Sequence, residues 1–126
     1  MVLVDSSVRI EYFKGNESAL LLNELIDSNS LCINDLILAE LLPSINQKNE
    51  IDLKELLLAI EKIDVEIDWH QIIAMQTLNL KKGINKVGIS DLIITQNAIE
   101  NNLELYAFDK HFTLMSELHD LKLFKR

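Results

Sequence analysis

Four acidic residues stand out because each lies where a binding crevice would form. Asp5 follows the apolar run "MVLV", Asp109 ends the run "LELYAF", Asp91 lies near the start of "SDLIITQNAIENN", and Glu40 interrupts "LILAELL". Carboxylates packed together repel one another, and a divalent cation removes that penalty. Oxygen ligands without cysteine or clustered histidine favour Mg²⁺ or Mn²⁺ over zinc. The four acids therefore predict a Mg²⁺ or Mn²⁺ site, which suits cleavage of phosphodiester bonds.

Each acid also has a simpler interpretation when it is considered alone. Asp5 could cap the end of a strand, and Asp109 could be a turn residue. Asp91 could be a favourable charge at a helix start, and Glu40 could be exposed on a helix surface. The joint pattern favours a shared site, because all four acids fall where one crevice is expected.

The elements that must position these acids alternate between strand and helix. The sequence predicts strands at 1–4, 30–34, 64–67, 103–109 and 121–124. It predicts helices at 16–29, 35–48, 52–63, 68–82, 90–102 and 110–118. This alternation predicts an α/β fold, a parallel sheet covered by helices on both faces. The carboxyl ends of parallel strands share the edge where ligands bind, so Asp5 and Asp109 meet there if their strands are neighbours.

Length and composition predict a single domain over residues 1–126, with enough apolar residues for a full core. Cys32 lies in an apolar run and is predicted to be a buried small hydrophobic residue. No membrane span is visible, and Asp5 interrupts the N-terminus before a secretory signal could form. We expect a cytoplasmic protein.

Together, the acid-bearing segments resemble PIN-domain nucleases. The segments "VLVDSSV", "LILAELL", "GISDLIITQNAI" and "AFDKHF" occur in the order and context of that family, and the chain is most similar to its small VapC-type toxins of toxin–antitoxin pairs. The resemblance covers essentially the whole chain and implies a five-stranded parallel sheet with flanking helices. It also implies a Mg²⁺- or Mn²⁺-dependent endoribonuclease whose metal-binding quartet is Asp5, Glu40, Asp91 and Asp109.

Two serines follow the first aspartate, where the family usually carries serine, threonine or asparagine. By this resemblance we expect Ser6 to support a metal-bound water or a phosphate during catalysis. Ser7 is explained at least as well as a helix cap. The segments "KVGIS" before Asp91 and "YAF" before Asp109 depart from the usual family pattern. These departures bear on the choice of substrate and leave all four carboxylates in place.

The net charge of −8, from 12 basic and 20 acidic side chains, argues on its own against a nucleic-acid-binding protein. Bound cations would reverse the potential locally. Basic residues also lie near the predicted crevice or in the C-terminal tail: Arg9, Lys14, Lys81, Lys82, Lys86, Lys110, Lys122, Lys125 and Arg126. Solubility explains these residues equally well.

The resemblance implies an RNA substrate and a cognate antitoxin protein that inserts an arginine or lysine among the acids. A homodimer is also expected. Candidate interface residues are Tyr12, Phe13 and the leucine-rich segments 17–28 and 35–42.

Two other function classes stay open. One is a non-catalytic PIN-like module that only holds RNA or a protein partner. The other is a phosphoacceptor domain, although Ser7 stands where the dehalogenase pattern requires a second aspartate. The three histidines, His70, His111 and His119, are interpreted as surface or packing residues rather than acid–base catalysts.

Overall fold

The computed structural model describes residues 1–8, 24 and 26–124. The described elements are, in chain order, β1 (Val2–Val4), β2 (Leu31–Ile33), α1 (Asp35–Gln47), α2 (Ile51–Ala59), β3 (Glu61–Lys62), α3 (Trp69–Lys81), α4 (Ile89–Glu100), β4 (Glu104–Tyr106), α5 (Lys110–Leu118) and β5 (Lys122–Leu123). None of these helices has the length and apolar character needed to cross a membrane. Most of the helix predicted at 16–29 lies outside the described residues, as do Arg9, Tyr12, Phe13, Lys14, Lys125 and Arg126.

The five strands form one parallel sheet in the order β3-β2-β1-β4-β5. The prediction of an α/β fold with a five-stranded parallel sheet is therefore confirmed. The chain adds β2 and β3 on one side of β1 and then returns to place β4 on the other side. Strand order thus reverses between β1 and β4, and a ligand crevice of a parallel sheet opens at such a reversal, beyond the carboxyl ends of the strands.

Near the sheet edge, the predicted end of one helix and the predicted position of one strand are wrong. The helix predicted at 52–63 ends at Ala59, and Ile60 is already extended with φ −70° and ψ 143°. The next residues form β3 beside β2, whereas 64–67 contain no strand. Because β3 consists of two exposed charged residues paired through their backbone, it carries no apolar pattern that the sequence could reveal.

The core lies around the central strands, where Leu3, Cys32 and Leu105 are all fully buried. Burial raises the pKa of the Cys32 thiol to about 11. The side chain therefore stays a neutral thiol and packs as a small hydrophobic residue, as predicted.

A buried ladder of amides joins three parts of the chain. Asn34 caps α1, since its Oδ1 accepts a hydrogen bond from the Ile37 backbone N–H at 2.9 Å. Its Nδ2 donates to Oδ1 of Asn97 in α4 at 2.9 Å, and Asn97 Nδ2 donates to the Asp64 carbonyl at 2.9 Å. Both asparagines are buried. The ladder fixes the start of α1 relative to α4, the two helices that carry Glu40 and Asp91.

Replacing Asn97 with alanine should lower the free energy of unfolding by about 2–3 kcal/mol, because Asn34 Nδ2 and the Asp64 carbonyl lose their shared partner inside the protein. Asn101→Ala is a matched control, since Asn101 is exposed and makes one hydrogen bond to the Asn97 carbonyl. Asn101→Ala should lower the free energy of unfolding by less than about 1 kcal/mol. Urea unfolding measures both, and equal losses would contradict a structural role for the ladder.

Candidate active site

Asp5 lies at the carboxyl end of the central strand and is only 2% exposed. The pairing of β1 with β4 continues beyond the strands, because the Asp5 backbone N–H donates to the Tyr106 carbonyl at 2.9 Å. The segments that leave these two strands therefore start side by side. Asp109 follows Tyr106 by three residues, so both acids follow the carboxyl ends of two neighbouring strands.

Ser7 joins the two segments. Its hydroxyl donates to Asp5 Oδ2 at 2.7 Å, and its backbone N–H donates to the same oxygen at 3.2 Å. The Phe108 backbone N–H in turn donates to Ser7 Oγ at 3.0 Å. The hydroxyl of Ser7 thus holds the Asp5 carboxylate and tethers the segment that leads to Asp109. Ser6 is half-buried beside it, and its expected role in catalysis stays a prediction.

Asp109 occupies the N-cap position of α5 without acting as a cap. The residue is exposed, and its side chain accepts no hydrogen bond from the first turn of the helix. The first turn is closed by backbone atoms instead, with Phe112 N–H donating to the Asp109 carbonyl at 3.2 Å. The Asp109 carboxylate is therefore not used to start its own helix.

Asp91 lies in the first turn of α4. The helix begins at Ile89 with Gly88 as its N-cap residue, one residue before the start predicted from the sequence. Glycine has no side chain to satisfy the helix amides, and Asp91 is the acidic residue of that turn. Its side chain is largely buried, with 20% exposed. The Asp91 carboxylate therefore faces protein more than solvent.

His111 makes the shortest contact to Asp91, with Nε2 2.8 Å from Oδ2. No acceptor lies in line with the ring N–H among the described residues, so the contact is not a well-directed hydrogen bond and is an ion pair only when the ring is protonated. Burial raises the pKa of Asp91; His111 lowers it, and Asp5 and then Asp109 raise it. The net direction is upward, so burial and acidic neighbours outweigh the histidine.

Glu40 lies in the second turn of α1 and is exposed to solvent. Partial desolvation of its carboxylate raises its pKa, and repulsion by Asp5 and then Asp91 raises it further. Solvent at the exposed side screens part of this repulsion. The pKa effects link Glu40 to Asp5 and Asp91, and Asp91 to Asp109. Each of the four predicted site acids therefore lies within electrostatic reach of at least one other.

These acids suit a hard cation by composition but are not arranged around one. In the described part of the chain, no three Asp, Glu, His or Cys side chains are placed so that they could hold an ion together. Asp5 directs an oxygen at Ser7, and Asp91 directs one at His111. Their carboxylates are oxygen donors that repel one another, and this donor set favours Mg²⁺ or Mn²⁺. Shared coordination requires side-chain rotations from these positions.

Two residues at this site were given other roles by the sequence interpretation. Ser7 was explained as a helix cap, and His111 was interpreted as a surface or packing residue. His111 does pack on Phe112 with ring centroids 4.9 Å apart, but it also contacts Asp91. The available signal was its position two residues after Asp109, in the first turn of a helix that begins at the crevice. His119 does have a packing role, with Nε2 2.8 Å from Asn79 Oδ1.

Residues 2–118 match the family model described as PIN domain. No curated protein sequence matches the chain.

Several solved structures share the fold along nearly the whole chain. VapBC2 from Rickettsia felis, bound to a DNA fragment from the promoter, is 22% identical with a TM-score of 0.75, and the match covers 98% of each chain. FitAcB from Neisseria gonorrhoeae is 19% identical with a TM-score of 0.75, covering 99% of this chain and 97% of that one. DNA-bound VapBC from Salmonella typhimurium is 17% identical with a TM-score of 0.75, and the match covers 98% of this chain and 96% of that one. At these identities the likeness shows the fold alone.

The crowded acids should destabilise the protein as the pH rises in the absence of divalent metal. Because the pKa of Glu40 is raised in the folded protein, its stabilising contribution is fully present below the ordinary glutamate pKa and is lost as pH rises through the raised value. Glu40→Gln removes this pH-dependent loss of stability, because glutamine carries no charge. At neutral pH in EDTA it should raise the Tm by about 1–2 °C, and the gain should vanish on acidification.

Glu55→Gln is the matched control, because it removes the same charge from an exposed position on α2. Thermal unfolding across the pH range compares the two variants. A gain from Glu40→Gln no larger than that from Glu55→Gln would mean that the acids do not repel one another as described.

Proposed function

The chain belongs to the PIN domain family, and we propose that it is a Mg²⁺- or Mn²⁺-dependent endoribonuclease that acts as the toxin of a toxin–antitoxin pair. One observation carries the proposal. Asp5, Glu40, Asp91 and Asp109 come from four separate segments, and acidic neighbours raise the pKa of both Glu40 and Asp91. Perturbed carboxylates that gather at the ligand edge of a parallel sheet are typical of a functional site.

The electrostatics of the crevice favour a polyanionic substrate only when a cation is present. Four carboxylates repel a phosphodiester, and the whole chain carries a net charge of −8. The residues that would hold the ion are Asp5, Glu40, Asp91 and Asp109. An ion bound there would neutralise the phosphate, help to activate water and stabilise the leaving oxygen.

The residues have different parts in the proposed reaction. Asp5 is the fixed member, since its buried carboxylate is held by Ser7. Glu40 reaches solvent and has a raised pKa, so its carboxylate is suited to orient the attacking water and take up a proton from it. Water attacks the phosphorus in line with the 3′ oxygen, the bond between phosphorus and that oxygen breaks, and the 3′ oxygen takes up a proton from solvent. The products are a 5′-phosphate and a 3′-hydroxyl.

Two remaining residues would support the substrate and the acids. Ser6 stands beside Asp5 at the end of β1 and would contact a phosphate or its water. His111 contacts Asp91 and would limit how far that carboxylate turns.

The toxin role depends on a partner that blocks the crevice. Two of the similar structures are of VapBC bound to DNA, and this supports an antitoxin partner for this chain. The acids would receive an arginine or lysine of that partner, since a cationic side chain relieves the same repulsion as a metal ion. The proposal includes a homodimer in the cytoplasm. On α3, Trp69, Ile73 and Leu80 form an exposed apolar stripe at helical spacing that could serve as the dimer face.

Asp5→Asn should reduce RNA cleavage at least about 100-fold, because it removes a carboxylate from the metal-binding set. The amide keeps an acceptor for Ser7, so the Tm should stay within a few degrees of that of the wild type. Gel analysis of RNA incubated with Mn²⁺ or with EDTA measures the effect. Cleavage by the wild type in EDTA would contradict the mechanism. Cleavage by Asp5→Asn at the wild-type rate would also contradict it. Tight RNA binding without any cleavage would indicate the non-catalytic module instead.

Expression of the wild-type chain alone should arrest bacterial growth, because uncontrolled RNA cleavage stops protein synthesis. Expression of Asp5→Asn to the same level should not. Co-expression with the product of a small adjacent gene should restore growth if that gene encodes the antitoxin. Growth counts after induction measure all three, and equal arrest by wild type and Asp5→Asn would exclude nuclease activity as the cause.

A further inference from the structure

Five described residues have a positive φ, and one of them is of an unexpected type. They are Asn29 at 57°, Asn49 at 55°, Gly83 at 77°, Lys86 at 68° and Asn102 at 53°. Glycine and asparagine tolerate this left-handed conformation, whereas a lysine there is strained. The chain thus uses a tolerant residue at every described left-handed position except Lys86. A strained residue near a functional site indicates a role for its side chain.

The loop that carries Lys86 is firmly held on both sides. Ile84 and Val87 are buried, with 7% and 6% exposed. The Ile84 backbone N–H donates to the Asn79 carbonyl at 2.8 Å, and Gln76 Nε2 donates to the Val87 carbonyl at 2.8 Å. Between these anchors Asn85 and Lys86 are exposed. Lys86 therefore stands at the tip of a preorganised loop.

This tip leads directly into the helix that carries Asp91. Lys86 precedes Gly88, the N-cap residue of α4, by two positions, and Asp91 lies in the first turn of that helix. Lys86 forms no ion pair with any acid of the described residues, whereas Lys62 pairs with Asp35 at 3.2 Å. An unpaired cation on a chain of net charge −8, a few residues before Asp91, supplies attraction for phosphate.

We infer that Lys86 is a substrate-binding residue whose ammonium group contacts a backbone phosphate of the RNA strand entering the crevice, a role that rests on the proposed ribonuclease function. A rigid loop lowers the entropy that is lost when the side chain meets the strand. Because a phosphate contact carries no sequence information, the contribution of Lys86 is to affinity and register rather than to base choice.

The test separates the charge of Lys86 from its backbone conformation. Lys86→Asn keeps a residue that tolerates positive φ and removes the charge, whereas Lys86→Arg keeps the charge. Fluorescence anisotropy measures binding of a labelled, mixed-sequence single-stranded RNA in Mg²⁺ by the chain with Asp5 intact, and phosphorothioate linkages in the RNA slow its cleavage while keeping the backbone charge. Lys86→Asn should weaken binding about 5-fold and reduce the slope of log affinity against log salt by about 0.7. Lys86→Arg should bind like the parent.

Lys48→Asn is the control, because it removes the same charge from an exposed residue at the C-terminal end of α1. It should leave affinity and salt slope unchanged. Lys86→Gly should raise the Tm by about 2 °C while weakening RNA binding, the result expected when a strained side chain is kept for binding.

Several outcomes would overturn the inference. Lys86→Asn could bind RNA like the parent, or Lys48→Asn could lose as much affinity. Loss of antitoxin binding in Lys86→Asn with unchanged RNA affinity would assign the residue to the protein partner instead. If the wild type cleaves RNA and Lys86→Asn binds RNA with unchanged affinity, the nuclease proposal stands and Lys86 is not a substrate-binding residue. RNA binding that depends on Lys86 without wild-type cleavage supports the contact and removes the nuclease proposal.

Discussion

The burial of one carboxylate, that of Asp5, is the constraint on which the site depends. Asp5 ends the central strand, is 2% exposed, and must be satisfied by protein donors. Ser7 supplies two such donors on one oxygen, and the Phe108 amide fixes Ser7 in turn. This short chain of hydrogen bonds joins the segment that follows β1 to the segment that follows β4 in one structural unit. Asp109 and His111 follow directly from that unit.

Asp91 and Glu40 reach the same region from α4 and α1, and repulsion among the acids opposes this approach. The buried ladder of Asn34, Asn97 and the Asp64 carbonyl holds the two helices in register against it. The fold therefore combines an interior whose buried amides are hydrogen-bonded with a sheet edge whose carboxylates repel one another. Strained or mutually repelling groups persist at functional sites when the surrounding structure determines their positions. The left-handed Lys86, anchored between two buried apolar residues, follows the same principle.

Much of this arrangement is visible in the sequence because the signals are local. An apolar run that ends in an acid located both Asp5 and Asp109, and the alternation of strand and helix predicted a parallel sheet. β3 was not predictable, since its two charged residues pair only through the backbone. The choice between Ser6 and Ser7 depends on the turn after β1, which adjacent serines do not reveal. The contact of His111 with Asp91 joins two helices, and the positive φ of Lys86 has no signature in a single sequence.

We propose that the four carboxylates act together as one cation site. Electron paramagnetic resonance measures it directly, because the signal of free Mn²⁺ decreases as the ion binds to protein. We expect the wild-type chain to bind Mn²⁺ saturably at neutral pH, with one or two ions per chain. Asp5→Asn and Asp91→Asn should bind Mn²⁺ markedly more weakly. A free-ion signal that the wild-type chain leaves unchanged, or equal binding by all three proteins, would contradict it.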